Sequence, residues 1–196
     1  MKLFLALCLF ATPALAGGPK NPGPEPGQEA PAFSLVAHDG STHTLAQYKG
    51  KVVVLEWTNP ECPFVVRHYQ AATMKTLAEK YKGKEVVWLA VNSSHFANVE
   101  ANKKFVEAEK LAYAVLDDSK GEVGHAYGAR TTPDMFVIDP QGKVAYRGAI
   151  DNDPSGDKSA ESKINYVDQS VPAVLGQTPL ATPRTQPYGC SVKYGS

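Results

Sequence analysis

Apolar positions along this chain recur with two periods, and their alternation predicts one α/β unit. Ala32-Phe33-Ser34-Leu35-Val36 alternates as a short strand, Asp39-Gly40 marks a turn, and Thr42 to Tyr48 brings the chain round to a central element. Lys51 to Trp57 is almost continuously apolar and β-branched, as a strand buried on both faces of a sheet must be. After it, Val66, Tyr69, Leu77 and Tyr81 recur at three or four residues, which predicts a helix from Pro63 to about Tyr81, stopped by Gly83. Glu85 to Val91 reads as a second buried strand, Ala97 to Lys110 as a weaker helix, Ala112 to Leu116 as a strand and Lys120 to Tyr127 as a short helix. Asp134 to Ile138 is a strand that the turn Asp139-Pro140-Gln141-Gly142 joins to Lys143 to Gly148, and a last helix runs from about Lys163 to Leu175. This order, closing on an antiparallel hairpin and a helix, implies an α/β domain of three layers: a central mixed sheet flanked by helices.

The flanks differ from this core. Residues 1–16 carry Lys2, the apolar run Leu3 to Phe10, and Pro13-Ala14-Leu15-Ala16 with small residues where a signal peptidase reads, so cleavage is expected after Ala16. The mature chain would be secreted across the inner membrane, into the periplasm or beyond. No apolar run reaches the roughly 18 residues a spanning helix needs, and Leu7 is too bulky to precede a lipidated Cys8. Residues 17–29, dense in Gly and Pro, read as a flexible, partly extended linker; residues 30–178 are the domain; residues 179–196 are a Pro-rich tail carrying Cys190. Acidic and basic residues balance at 20 each, which leaves no electrostatic footprint for nucleic acid or an anionic membrane and points to a small-molecule or protein partner.

Candidate chemistry narrows to sulfur. Loss of the leader leaves Cys62 and Cys190 in an oxidising compartment, and a disulfide between them would contribute about 5 kcal/mol in the chain-entropy model. Pro63 suits the first position of a helix, which makes Cys62 the N-cap; there the helix dipole and unpaired N–H groups favour a thiolate. Glu56 and Glu61 would raise the thiol's pKa on approach, and Arg67, His68 and Arg130 are the cationic counterweights. Against the nucleophile stands a buried structural thiol, or half of a static disulfide. Thr131-Thr132-Pro133-Asp134 precedes an apolar strand, where Pro133 is either an ordinary trans proline or a cis one that sets a backbone edge beside the thiol. The histidines at 38, 43, 68, 95 and 125 lack metal-ligand spacing and read as surface or turn residues, and Asp151-Asn152-Asp153 lacks the rest of a calcium loop and reads as a solvated connection. No metal or cofactor is expected.

Ala30-Pro31-Ala32-Phe33-Ser34-Leu35, Asp39-Gly40, Leu45 to Leu55, Cys62-Pro63, Thr132-Pro133 and Phe136-Val137-Ile138-Asp139 together resemble the alkyl hydroperoxide reductase and thiol-specific antioxidant branch of the thioredoxin superfamily. Cys62-Pro63-Phe64-Val65 and the tail Gly189 to Tyr194 resemble more narrowly its peroxiredoxin-like thioredoxin-family proteins, and the similarity runs from Ala30 to Tyr194. The resemblance implies a thioredoxin-like fold and a cis-proline at Pro133 facing the redox centre. It implies thiol-based oxidoreductase chemistry at Cys62, Cys190, Thr132, Pro133 and Arg130, with protein thiols or disulfides, or a small hydroperoxide, as substrate and an external thiol as reductant. Two positions depart from it. Asn59 stands where the attacking cysteine of Cys-x-x-Cys would be, and also where a peroxidatic site carries its hydroxyl residue, Thr58 lying one place too early. Three expectations follow: an oxidoreductase in which Cys62 reacts and Cys190 swings in on a flexible tail to resolve it; a peroxidase in which Pro63 shields Cys62 and Arg130 stabilises its thiolate; or a non-catalytic binding domain stapled by Cys62–Cys190.

Overall fold

The computed structural model describes residues 22–195, so the predicted leader with Cys8 lies outside the described residues. In chain order the elements are β1 (Ser34–Ala37), β2 (Thr42–Thr44), a 3-10 turn (Leu45–Tyr48), β3 (Val52–Trp57), α1 (Pro63–Gln70), α2 (Thr73–Tyr81), β4 (Val86–Asn92) and α3 (Val99–Glu109). β5 (Ala114–Asp117), α4 (Glu122–Tyr127), β6 (Thr131–Thr132), β7 (Asp134–Ile138), β8 (Val144–Gly148), α5 (Tyr166–Leu175) and β9 (Cys190–Ser191) follow. Seven strands form one mixed sheet in the order β2-β1-β5-β4-β3-β7-β8, while β6 and β9 make a separate two-stranded ladder. β4 runs parallel to β3 and β5; β7 runs antiparallel to β3.

All six residues of β3 are buried, and its side chains alternate between two cores. Val52 and Val54 face a cluster containing Cys62, Val65, Tyr69, Met74, Trp88 and Val171 under α1, α2 and α5. Val53, Leu55 and Trp57 face Leu89, Tyr127, Phe136 and Ile138 on the side of α4. Each such Val or Leu contributes about 2 kcal/mol by leaving water, which fixes β3 between helical layers. The C-terminal end of β3 and the start of β7 coincide, Trp57 opposing Asp134. The loop after one strand and the turn before the other are thereby brought together. Among the described residues no helix is long and apolar enough to cross a membrane.

The structure corrects several expectations. The helix predicted from Pro63 to Tyr81 is two helices, because Ala72 adopts a left-handed conformation (φ 55°). The buried positions explain the break: Val65 and Tyr69 are four residues apart, but the next buried side chain is Met74, a step of five that a continuous helix would turn away from the core. Residues 22–29 are docked, not flexible. Gly27 N–H bonds Val144 C=O at 2.7 Å, Val144 N–H bonds Gln28 C=O at 2.9 Å, and the Arg147 guanidinium holds the carbonyls of Pro22 and Pro24 at 2.9 Å. The tail is docked as well. Arg147 N–H bonds Pro183 C=O and Thr185 N–H bonds Arg147 C=O, each at 3.1 Å, and Val192 N–H bonds Arg130 C=O at 3.0 Å.

Candidate active site

Cys62 caps α1 with Pro63 in the first helical position, and Val66 N–H bonds its carbonyl at 2.9 Å. The turn before it is organised by Asn59, whose Oδ1 accepts from Glu61 N–H at 2.9 Å and whose carbonyl accepts from Cys62 N–H at 3.0 Å. Asn59 therefore builds the turn that leads into the helix start at Cys62. The Thr132–Pro133 peptide is cis, as the family resemblance implies, and the Cys62 thiol donates to Thr132 C=O at 3.0 Å.

The second sulfur arrives by strand pairing. In the β6–β9 ladder Thr132 opposes Cys190 and Thr131 opposes Ser191, so the tail lies antiparallel along the segment that touches Cys62. Gly189 permits this approach: its φ is 142°, and a Cβ there would sit 2.0 Å from Thr132 O. The expected swinging tail is thus a laid-down strand, with Cys190 already beside Cys62 and both present as thiols. Burial opposes the Cys62 thiolate, but the Cys190 thiol as donor, the Thr132 side chain and the N–H groups of Val65 and Cys190 outweigh it and lower the pKa. Cys190 moves the other way, raised by burial and by its role as donor to Cys62.

Tyr188 anchors the tail two residues earlier. Its hydroxyl donates to Asp151 Oδ1 and accepts from His68 Nε2 at 3.0 Å; its ring meets Phe64 edge-on at 6.0 Å and lies under the Arg67 guanidinium at 5.9 Å. Since the hydroxyl gives its only proton to Asp151, His68 carries its proton on Nε2. Burial pushes the His68 pKa down to about 4. His68 and Asp151 are 4% and 2% exposed, which corrects the reading of this histidine as a surface residue and of residues 151–153 as a solvated connection. Asp153 is buried too. Its Oδ1 accepts from the N–H groups of Gly156, Asp157 and Lys158, and its Oδ2 lies 2.7 Å from Lys163 Nζ.

Of the predicted site residues, Cys62, Thr132, Pro133 and Cys190 converge. Arg130 does not join them: it is exposed, and its backbone N–H and charge act on Asp134, whose carboxyl burial raises to about 7. Arg67 is spent on the carbonyls of Asp153 and Pro154, each at 3.0 Å. Glu61 is exposed, and Glu56 is held away from the sulfur by Tyr69 (2.8 Å), Trp88 (3.1 Å) and Tyr113 (3.5 Å). Burial raises the Glu56 carboxyl to about 7. Sequence reading missed Tyr188 and Asp151. The available signal was the aromatic–glycine pair immediately before the tail cysteine, a packing residue and a close-approach residue within a Pro-rich segment.

Three comparisons bear on this geometry. Thiol-disulfide oxidoreductase ResA of Geobacillus thermodenitrificans is 35% identical over 119 residues, covering 60% of this chain and 66% of that one, just under two thirds of its length. The chloroplastic peroxiredoxin Q of Suaeda salsa is 30% identical over 128 residues, covering 60% of this chain and 56% of that one. Among solved structures, a hypothetical protein of Sinorhizobium meliloti 1021 superposes with a TM-score of 0.75 at 26% identity, covering 87% of this chain and 94% of that one. The fold is thioredoxin-like, and with residues 25–166 matching the Redoxin model the chain belongs to the Redoxin family.

Proposed function

We propose that this protein is an exported thiol-disulfide oxidoreductase whose working pair is Cys62 and Cys190. The observation that carries the reading is the β6–β9 pairing, which lays a second sulfur from the tail along the segment that Cys62 touches. The leader pattern in residues 1–16 supports export, and the likeness to ResA favours exchange with thiols and disulfides of other proteins. In each cycle the Cys62–Cys190 disulfide accepts two electrons from two outside thiols, which become a disulfide, and the pair is left as a dithiol; an outside disulfide reverses the process. Cys62, on a helix start that favours its thiolate, and Cys190, held by Tyr188 and Thr132, approach the exchange geometry without a large rearrangement.

A peroxidase finds less support. Asn59 spends its side chain on the turn, and Arg130 serves Asp134.

The test is titration of the purified mature protein with oxidised glutathione, acid quenching and mapping of alkylated cysteines. We expect one intramolecular disulfide, reversible by millimolar dithiothreitol in the folded protein. Two cysteines that remain alkylatable would refute the pairing. A disulfide that forms but resists dithiothreitol would assign it to a permanent staple.

A further inference from the structure

The two sulfurs differ in what can reach them. Cys62 is 1% exposed and lies beneath the tail, donating to Thr132 C=O at 3.0 Å. Its cover is held on both sides: before Cys190 by Tyr188 against Phe64, His68 and Asp151, and after it by Val192 N–H on Arg130 C=O at 3.0 Å and Lys193 C=O on His95 N–H at 2.8 Å. A molecule aiming at Cys62 would have to lift this segment. Cys190 is part of the cover. It is partly exposed, and the next residue, Ser191, is exposed. Attack on a disulfide requires approach along the S–S axis to a sulfur that solvent can reach.

We propose that Cys190 is the sulfur that exchanges with outside thiols and disulfides, and that Cys62 is the interior sulfur that leaves and returns beneath it. The proposal rests on the oxidoreductase reading and reverses the roles expected from the helix-start position of Cys62. An outside thiolate attacks Cys190 Sγ; the Cys190–Cys62 bond breaks, a bond from Cys190 to the outside sulfur forms, and the electron pair of the broken bond stays on Cys62 Sγ. A second outside thiolate attacks the outside sulfur of this mixed disulfide, releasing an outside disulfide and Cys190, which takes a proton from water. Two outside thiols are oxidised and one protein disulfide is reduced. The environment of Cys62 suits it to leave: at the helix start the Val65 N–H stabilises its thiolate, and a thiol of lowered pKa is the better leaving group. The same stabilisation of the reduced form makes the disulfide a stronger oxidant, so the arrangement favours giving disulfides over breaking them.

Single-cysteine variants separate the roles. Cys62→Ser and Cys190→Ser are each reduced, mixed with oxidised glutathione at about pH 9, near the ordinary thiol range, and followed by intact mass. We expect Cys62→Ser to capture glutathione on Cys190, and Cys190→Ser, in which the serine keeps the tail strand in place, to capture it on Cys62 at least about tenfold more slowly. A second arm adds mild urea below the unfolding transition, which should speed capture at Cys62 and leave Cys190 nearly unchanged. Equal or faster capture at Cys62 in native buffer overturns the proposal, and so does a Cys190 that takes no glutathione. If the unmutated protein forms no Cys62–Cys190 disulfide, the oxidoreductase reading itself fails; if it forms one and the two capture rates are equal, only the division of roles fails.

Discussion

Glu56 offers the most direct test of how this core is built. The carboxyl is fully buried in β3, has no cation beside it among the described residues, and receives hydrogen bonds from Tyr69, Trp88 and Tyr113. Burial lifts its pKa from 4.5 to about 7. The unfolded chain therefore releases this proton near 4.5 while the native protein keeps it until about 7, so between those values the native state binds more protons and stability falls as pH rises. At about 1.4 kcal/mol per pH unit the full cost of ionisation in the fold is about 3 kcal/mol, of which about 2–3 kcal/mol accrues between pH 5 and 8. Glu56→Gln removes the titration and keeps the bonding pattern: the amide oxygen accepts from Trp88 and Tyr113, and the amide N–H donates to Tyr69, which donates on to Tyr113 at 2.9 Å. The assay is urea unfolding of both proteins at several pH values. The variant should gain on the parent by about 2–3 kcal/mol from pH 5 to 8, roughly a 1 M rise in its relative midpoint. A difference that stays flat across this range would refute the reasoning. Asp134 titrates in both proteins and cancels from the comparison.

Three further outcomes follow from the tail and its anchor. Tyr188→Phe keeps the ring against Phe64 but loses the hydroxyl between His68 and Asp151, and should weaken disulfide formation about tenfold against a glutathione buffer, about 30 mV; Tyr194→Phe, which loses only a bond to Ala129 C=O beyond Cys190, should move it less. Gly189→Ala places a Cβ 2.0 Å from Thr132 O at a φ of 142°, so the strand should lift, and intramolecular disulfide formation should fall about a hundredfold while the far-ultraviolet spectrum is retained. The His68 ring resonance should titrate near 4 rather than near 6.5. Because its folded pKa is lowered, it adds acid destabilisation as pH falls through that window, measurable by NMR and by thermal melts.

The sheet was legible because its strands announce themselves. β3 and β7 are apolar runs bounded by turn residues, and β7 was predicted at Asp134 to Ile138, the bounds it adopts. The Cys62–Pro63 helix start was legible for the same local reason, a proline at the first helical position. What was not legible depends on contacts between distant segments. The break at Ala72 carries no glycine or proline, and shows only as a five-residue step between Tyr69 and Met74. The docking of the tail depends on Thr132 in β6, Phe64 and His68 in α1, and Asp151 after β8, three segments far apart in the chain. Composition alone made the Pro-rich tail look mobile, although proline also lowers the entropy lost on docking. His68 and Asp151 were misread together, each being buried because it is the other's partner through Tyr188.

Arg147 gives the molecule a mechanical character. From β8 its guanidinium holds the carbonyls of Pro22 and Pro24, its backbone brackets the tail at Pro183 and Thr185, and Arg184 reaches back to Glu25 at 2.6 Å. A load applied across the two flanks would meet this clasp before it reached the central strands. With the sulfurs joined, slack from the tail ends at residue 190 and the pull passes straight to α1; with them separate, the tail peels past Thr132 and the load falls on β8. Oxidation would therefore change the contour length released in the first rupture, a step that single-molecule extension reads directly.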